Sequence, residues 1–325
     1  MKNTLKKFSL QSIYTKVFII LFVFSTLYVL PIILFNTWFN DDLGITLYGV
    51  TGLNGDGRPL GQLLSDFLSG GGIVADIGPL PLLCSMLILS YSLVLYAKEN
   101  IPFSEHHILL SFVLLTVLTN PLGMSILFYR TGGCVMITAL SIPFLLFSFN
   151  DEIATWIIGI AAFVSGIAIM SLYQAAFGMC LVLVCMNIIF LLLQGKNRIK
   201  NDIVRLIGLF LGAVVYMVFI MPRYIDSEGW RHKASQTVSG FSLETVKIFL
   251  LNIWNSTFYI INYLKGLSIV SKTFLGLFVI AAWGYSLYYG YSKTKDNRKK
   301  CVITILALVV APCVIAVISY IPLAI

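Results

Sequence analysis

The sequence predicts an all-α integral membrane protein, a bundle of about nine transmembrane helices, and three observations predict it. Hydrophobic residues make up 58% of the chain and charged residues 11%, with a mean hydropathy of +0.92, and so few polar side chains cannot cover a water-soluble globule. Apolar runs near the ~20 residues that a helix needs to cross ~30 Å of hydrocarbon recur along the whole length. No stretch shows the roughly ten-residue in-out alternation of a membrane β-strand.

The first run, Val17 to Phe35, follows a lysine-rich start and is succeeded by Asn36, Thr37, Trp38, Phe39 and Asn40 rather than by the small residues of a cleavage site. It is expected to stay in place as a signal anchor. Ile77 to Tyr96 is the second span; the third, Ile108 to Phe128, is interrupted by Asn120 and Pro121. Gly132 to Phe149 and Ile153 to Leu172 follow, and small residues in the latter, Gly159 and Gly166, suit close packing of two helices. Ala175 to Gln194 and Leu206 to Met221 are the sixth and seventh. Leu243 to Leu264 is amphipathic and suited to the membrane interface, ahead of Phe274 to Tyr291 and Cys301 to Pro322. None of these spans contains Asp, Glu, Lys or Arg. The six cysteines lie in or at the ends of spans without CxxC spacing, as packing residues rather than disulfides or metal ligands.

Basic residues set the orientation. With a cytoplasmic amino terminus, 14 of the 22 Lys and Arg fall on the inner side with six acidic residues, against eight and eight outside. The net charge of +8 then sits wholly on the inner face, and no nucleic-acid partner is needed to explain it. The same rule puts both long polar loops outside: residues 36–76, the first outer loop, and residues 222–271, the second. No phosphate-cradling loop faces inward, because Gly70, Gly71 and Gly72 match neither GxGxxG nor the P-loop and lie outside. An enzyme using a soluble nucleotide is therefore not expected, and any substrate meets the protein from the outer leaflet.

The first loop carries the chemistry. Asp41 and Asp42 follow Trp38 and Phe39, an aromatic pair of the kind that anchors a helix end among headgroups. Pro59 opens a short amphipathic helix with apolar Leu60, Leu63, Leu64, Phe67 and Leu68; Gln62, Ser65 and Asp66 take the other face, so the helix should lie flat on the outer leaflet. The intervening glycines allow tight turns that point Arg58 back toward the carboxylates. A carboxylate at a partly dehydrated surface can act as general base for a hydroxyl nucleophile, and an arginine suits a phosphate leaving group. The competing reading makes Asp41 or Asp42 a cap on the next helical turn and pairs Arg58 with Asp56 or a lipid headgroup. In the second loop, Arg223 and Arg231, with His232 and Lys233, form a basic-aromatic cluster near Tyr224 and Trp230, suited to a lipid phosphate, an anionic acceptor or plain headgroup anchoring.

The run DDLGITLYGVTGLNGDGRPLGQLL resembles the first outer loop of the Gtr-type glucosyltransferases that decorate bacterial O-antigen, a branch of the GT-C membrane glycosyltransferases. NPLGMSILFYRTGGCVMITALS and SLYQAAFG resemble the family's next two outer stretches, in the expected order. The resemblance implies a single GT-C-like membrane domain over residues 1–325, in the bacterial inner membrane with its active face outward. It also implies transfer of a hexose, glucose first, from undecaprenyl phosphate to lipopolysaccharide or another glycan, with inversion. A carboxylate of the first loop would be the base, either Asp41 or Asp42; Asp41 is the first choice because it lies nearer the span and is better placed for partial desolvation, with Asp42 orienting it or binding a divalent metal if one is used. Arg58 and Arg130 would stabilise the departing phosphate, while Tyr129, Tyr173 and Gln174 would line the same cavity and hold sugar hydroxyls. Ile45, Leu53 and the stretch Thr131 to Gly133 depart from the family pattern, and members usually continue past Ile325, so the usual C-terminal part is expected to be shortened or absent: either the acceptor-binding part is lost or the chain is a shortened, inactive relative. Two alternatives stand beside the enzyme: a flippase or exporter for lipid-linked glycans, and a truncated non-catalytic relative. Spans free of formal charge argue against an ion-coupled transporter.

Overall fold

The computed structural model describes residues 2–35, 42–49, 51–71, 73, 78–101, 107–118, 126–127, 129, 132–150, 152–194, 199–224 and 243–310. The described residues form helices joined by turns, with no strand among them. The elements are α1 (Lys2–Leu34), α2 (Asp42–Tyr48), α3 (Pro59–Leu68), α4 (Leu80–Asn100), α5 (His107–Leu118), α6 (Gly132–Phe147), α7 (Thr155–Leu172), α8 (Phe177–Gln194), α9 (Ile199–Val215), α10 (Leu243–Gly266) and α11 (Ile269–Thr294). A further helix, α12, covers residues 298–310.

Each of the nine apolar segments carries a helix, and five stretches are long and apolar enough to cross a membrane: Ile13–Leu34, Leu80–Asn100, Thr155–Leu172, Lys200–Arg223 and Ile269–Ser292. Leu27, Phe112, Trp156, Phe210 and Phe274 are among many large apolar side chains exposed on these helices, which is the surface a lipid environment would cover. Buried Ser85, Ser92 and Ser141 donate to carbonyls three or four residues back in their own helices, so their hydroxyls stay satisfied without water.

The chain divides into two compact units. The first comprises Met1–Phe177 with Val204–Asp226. Here α4 packs on α6, α1 lies against α4 and α5, and α7 and the short α3 complete the group. Met86, Leu93, Ile137, Phe144 and Phe147 form its core. Asn100, at the end of α4, donates to the carbonyls of Tyr96 and Phe147 at 3.0 Å, which ties the C-termini of α4 and α6 together and satisfies an otherwise orphaned helix-end acceptor. Arg205, fully buried, donates Nη2 to the Phe149 carbonyl at 2.9 Å and lies 5.4 Å from the centre of the Phe147 ring. One end of this unit is therefore an arginine-capped junction. α6 has 16 residues, so its N-terminus stands about 24 Å away from that junction.

This junction corrects the expectation that the spans are free of charge. The helix of the seventh span, α9, begins at Ile199 rather than Leu206, and it carries Lys200, Asp202 and Arg205, the last two buried. The carbonyl and the aromatic face give the Arg205 cation a site that hydropathy cannot register, while Asp202 stands in the first turn of α9, where the helix dipole favours a carboxylate.

α7 and α9 approach through glycine. A methyl group at Gly208 would stand 2.7 Å from both Ala162 Cβ and the Gly159 carbonyl oxygen, and one at Gly166 or Gly212 would run into the carbonyl oxygens of Leu209 or Phe163. The small-residue motif seen in the sequence thus has its partner, a backbone-to-backbone seam. Gly212→Val is expected to lower stability by about 1–3 kcal/mol through forced separation of the two helices, whereas Gly276→Val in α11, where an added Cβ would meet no other part of the fold within 4 Å among the described residues, is expected to be close to neutral. Melting midpoints of the two variants in detergent compare them directly.

The second unit comprises Gly178–Ile203 and Ser227–Ile325. Within it, Trp283 Nε1 donates to the Leu308 carbonyl at 3.1 Å and joins α11 to α12. Asn187 Nδ2 donates to Asp202 Oδ1 at 3.2 Å. Ser268 caps α11, its hydroxyl accepting from the Ser271 amide at 3.1 Å.

Candidate functional site

At the end of the first unit opposite the Arg205 junction, the chain folds residues 51–58 into a tight knot. The amides of Gly57 and Arg58 donate to the carbonyls of Asn54 and Leu53 at 2.8 Å, and the Leu53 side chain is buried beneath. Gly57 sits at φ +64°, a left-handed conformation that an L side chain rarely adopts, so glycine is needed immediately before Arg58. Pro59 then occupies the first position of α3, where its missing N–H costs nothing.

Arg58 is held from two sides. Its Nε donates to Gln174 Oε1 at 3.3 Å, and its guanidinium lies 5.3 Å from the centre of the Tyr173 ring. Tyr173 is the extended residue that ends α7, and Gln174 begins the 3₁₀ turn leading to α8. Among the described residues the remaining donors of the Arg58 fork are not engaged, which leaves a planar, positively charged edge for a ligand. Burial pushes the Tyr173 phenol above its ordinary value; the Arg58 charge draws it back, and Tyr129 raises it. The phenol is thus a neutral hydroxyl at neutral pH, able to donate to or accept from a sugar hydroxyl.

Sequence reasoning missed Tyr216. Its hydroxyl donates to the Gly57 carbonyl, which also takes a long 3.5 Å contact from Gln174 Nε2. The last turns of α9 loosen into a π-helical segment, Tyr216–Ile220, and Tyr216 opens it, fully buried. A tyrosine inside an apolar run is a signal in principle, since a buried phenol needs a partner, but the partner is invisible in the sequence. Tyr216→Phe is expected to cost about 1 kcal/mol of stability through the lost bond, read as a lowered melting midpoint.

The predicted residues come together in part. Arg58, Tyr173 and Gln174 are in contact, and Tyr129 is electrostatically coupled to Tyr173. Arg223 is exposed in the 3₁₀ turn Met221–Arg223, with no bond to this group among the described residues. Asp42 is the first residue of α2. Asp41, Arg130 and Arg231 lie outside the described residues. Arg58 pairs with a glutamine and a tyrosine ring rather than with Asp56. No group of three or more metal-ligating side chains clusters among the described residues.

The profile of the family described as Glucosyl transferase GtrII matches residues 30–323. A protein of Salmonella phage P22, described as an uncharacterized 55.3 kDa protein in the gtrB 5′ region, is 29% identical over 218 residues, covering 65% of this chain and 44% of that protein. The match thus spans less than half the length of that relative. No solved structure matches.

Proposed function

The chain belongs to the GtrII glucosyl transferase family, and on that premise we propose that it transfers a hexose, glucose first, from undecaprenyl phosphate to a glycan such as the O-antigen of lipopolysaccharide. The observation that carries this reading is the Arg58 guanidinium, fixed by Gln174 and Tyr173 with its remaining donors unengaged among the described residues, at the end of the helical unit opposite the buried Arg205. Nine spans with a cytoplasmic amino terminus would put Lys98, Lys200 and Arg205 inside and the Arg58 end in the outer leaflet, as the basic-residue rule favours.

In this mechanism the acceptor hydroxyl attacks C1 of the hexose, the bond from C1 to the phosphate oxygen breaks, and undecaprenyl phosphate leaves with the electron pair. Asp41 takes the hydroxyl proton. Arg58 offers fixed positive charge where negative charge grows on the phosphate, with Arg130 as its proposed partner. Tyr129, Tyr173 and Gln174 orient sugar hydroxyls, and the Tyr173 ring offers a stacking face.

The buried Asp202 and Arg205 revive the transporter reading only superficially. Arg205 is bound to a helix-end carbonyl at one extremity of the unit, an anchoring geometry. The deciding experiment is transfer of labelled glucose from undecaprenyl phosphate glucose to lipopolysaccharide in membranes expressing the full chain. Labelled lipopolysaccharide is the expected product; its absence with this donor and with a panel of other polyprenyl phosphate sugars would overturn the proposal.

A further inference from the structure

A cavity of about 410 Å³ opens beside α3, separate from the Arg58 cluster. Its wall is polar where Asn54, Gln62, Asp66 and Tyr224 meet it and apolar where Leu63 and Ile220 do. The sequence pattern set Gln62, Ser65 and Asp66 on the polar face of a helix lying on the membrane. The structure instead buries Ser65 at 3% exposure, one turn on from Gly61, whose face meets Val135 of α6, and leaves Leu63 and Phe67 exposed at 63% and 80%. With α3 turned this way, Gln62 and Asp66 face a hollow.

Those two side chains are already oriented. The Thr51 hydroxyl donates to Gln62 Oε1, and Gln62 Nε2 donates to Asp66 Oδ1 at 2.8 Å. The amide is therefore locked between two partners, with one further N–H and one lone pair to offer, and Asp66 keeps a second oxygen for a ligand. Planar amide and carboxylate groups that can each bond neighbouring hydroxyls, set across from an apolar wall and a tyrosine, suit a pyranose ring, whose rim is hydroxylated and whose face is apolar. The Asp66 charge disfavours a phosphate in the same hollow, and the cation that would welcome one, Arg58, does not line it.

We infer that this cavity is the subsite for an uncharged pyranoside of the acceptor glycan, held by Gln62 and Asp66. The inference rests on the glycosyltransferase reading for the word acceptor, and on the cavity alone for the word pyranoside. It divides the labour spatially: phosphate at Arg58, incoming sugar acceptor on the far side of Pro59.

Two measurements on the full chain in lipid nanodiscs test it. In saturation-transfer NMR with methyl glucoside, methyl galactoside and methyl rhamnoside as probes, at least one glycoside should receive saturation from the wild-type protein, and the effect should vanish in Asp66→Ala. In kinetics, Asp66→Asn and Gln62→Ala should each raise the acceptor KM by about tenfold or more with the donor KM unchanged. Melting midpoints identify any variant that merely fails to fold, and Asp66→Asn, isosteric and on a helix surface, is the safeguard. No saturation transfer to any glycoside from the wild type, or a donor KM that rises while the acceptor KM holds, would overturn the inference. A chain that transfers no sugar yet shows the Asp66-dependent NMR signal would refute the glucosyltransferase reading and leave the pyranoside site standing.

Discussion

Arg58→Ala is expected to lower hexose transfer by about 10²–10³-fold, the loss typical of removing a fixed donor aimed at charge that develops in the transition state. The expectation rests on how little of the guanidinium is committed. Among the described residues Gln174 takes only Nε and Tyr173 only the face, so the truncation removes a preorganised cation and few contacts. The fold should therefore survive, and the loss should fall on the rate. Arg58→Lys separates charge from shape: a lysine keeps the charge but cannot fork toward a phosphate while stacking on Tyr173, so an intermediate loss is expected. Initial rates in membranes with matched protein levels measure both, and an Arg58→Ala enzyme with more than half the parental rate would remove Arg58 from the phosphate.

Asp41→Asn is expected to cost a comparable or larger factor, about 10²–10⁴-fold, as loss of a general base does, with donor binding preserved. Asp42→Asn should be milder in rate. Asp42 opens α2, and a carboxylate in a first helical turn interacts with the helix dipole, an effect of about 0.3–1 kcal/mol on local stability. Measuring transfer and melting for both variants distinguishes them: a rate collapse with an unchanged midpoint identifies the base. The reverse pattern, a collapse at Asp42 alone, would exchange the two roles.

Much of the architecture is legible because membrane helices announce themselves by length and apolarity. The limits of that legibility are equally physical. Periodicity shows that Leu63 and Phe67 share a face, but not which way the face turns; between packed helices the closest approach belongs to small residues, and Gly61 and Ser65 took it. Hydropathy stopped the seventh span at Leu206, because no scale values Arg205 by the carbonyl it will meet. In the site, Arg58 and Gln174 were joined by resemblance and then by geometry, whereas nothing local named the partner of Tyr216, a backbone oxygen 159 positions earlier.

That separation bears on how the protein is made. During synthesis the knot around Gly57 leaves the ribosome long before Tyr216 does, and domains are assembled as their segments emerge. A nascent chain that has reached Gln174 already has both groups that hold Arg58, but the Gly57 carbonyl before it gains its second donor only when the end of α9 has been inserted. Completion of the arginine's cradle is thus a late event of biogenesis, set by the insertion of one helix rather than by the loop that carries the arginine.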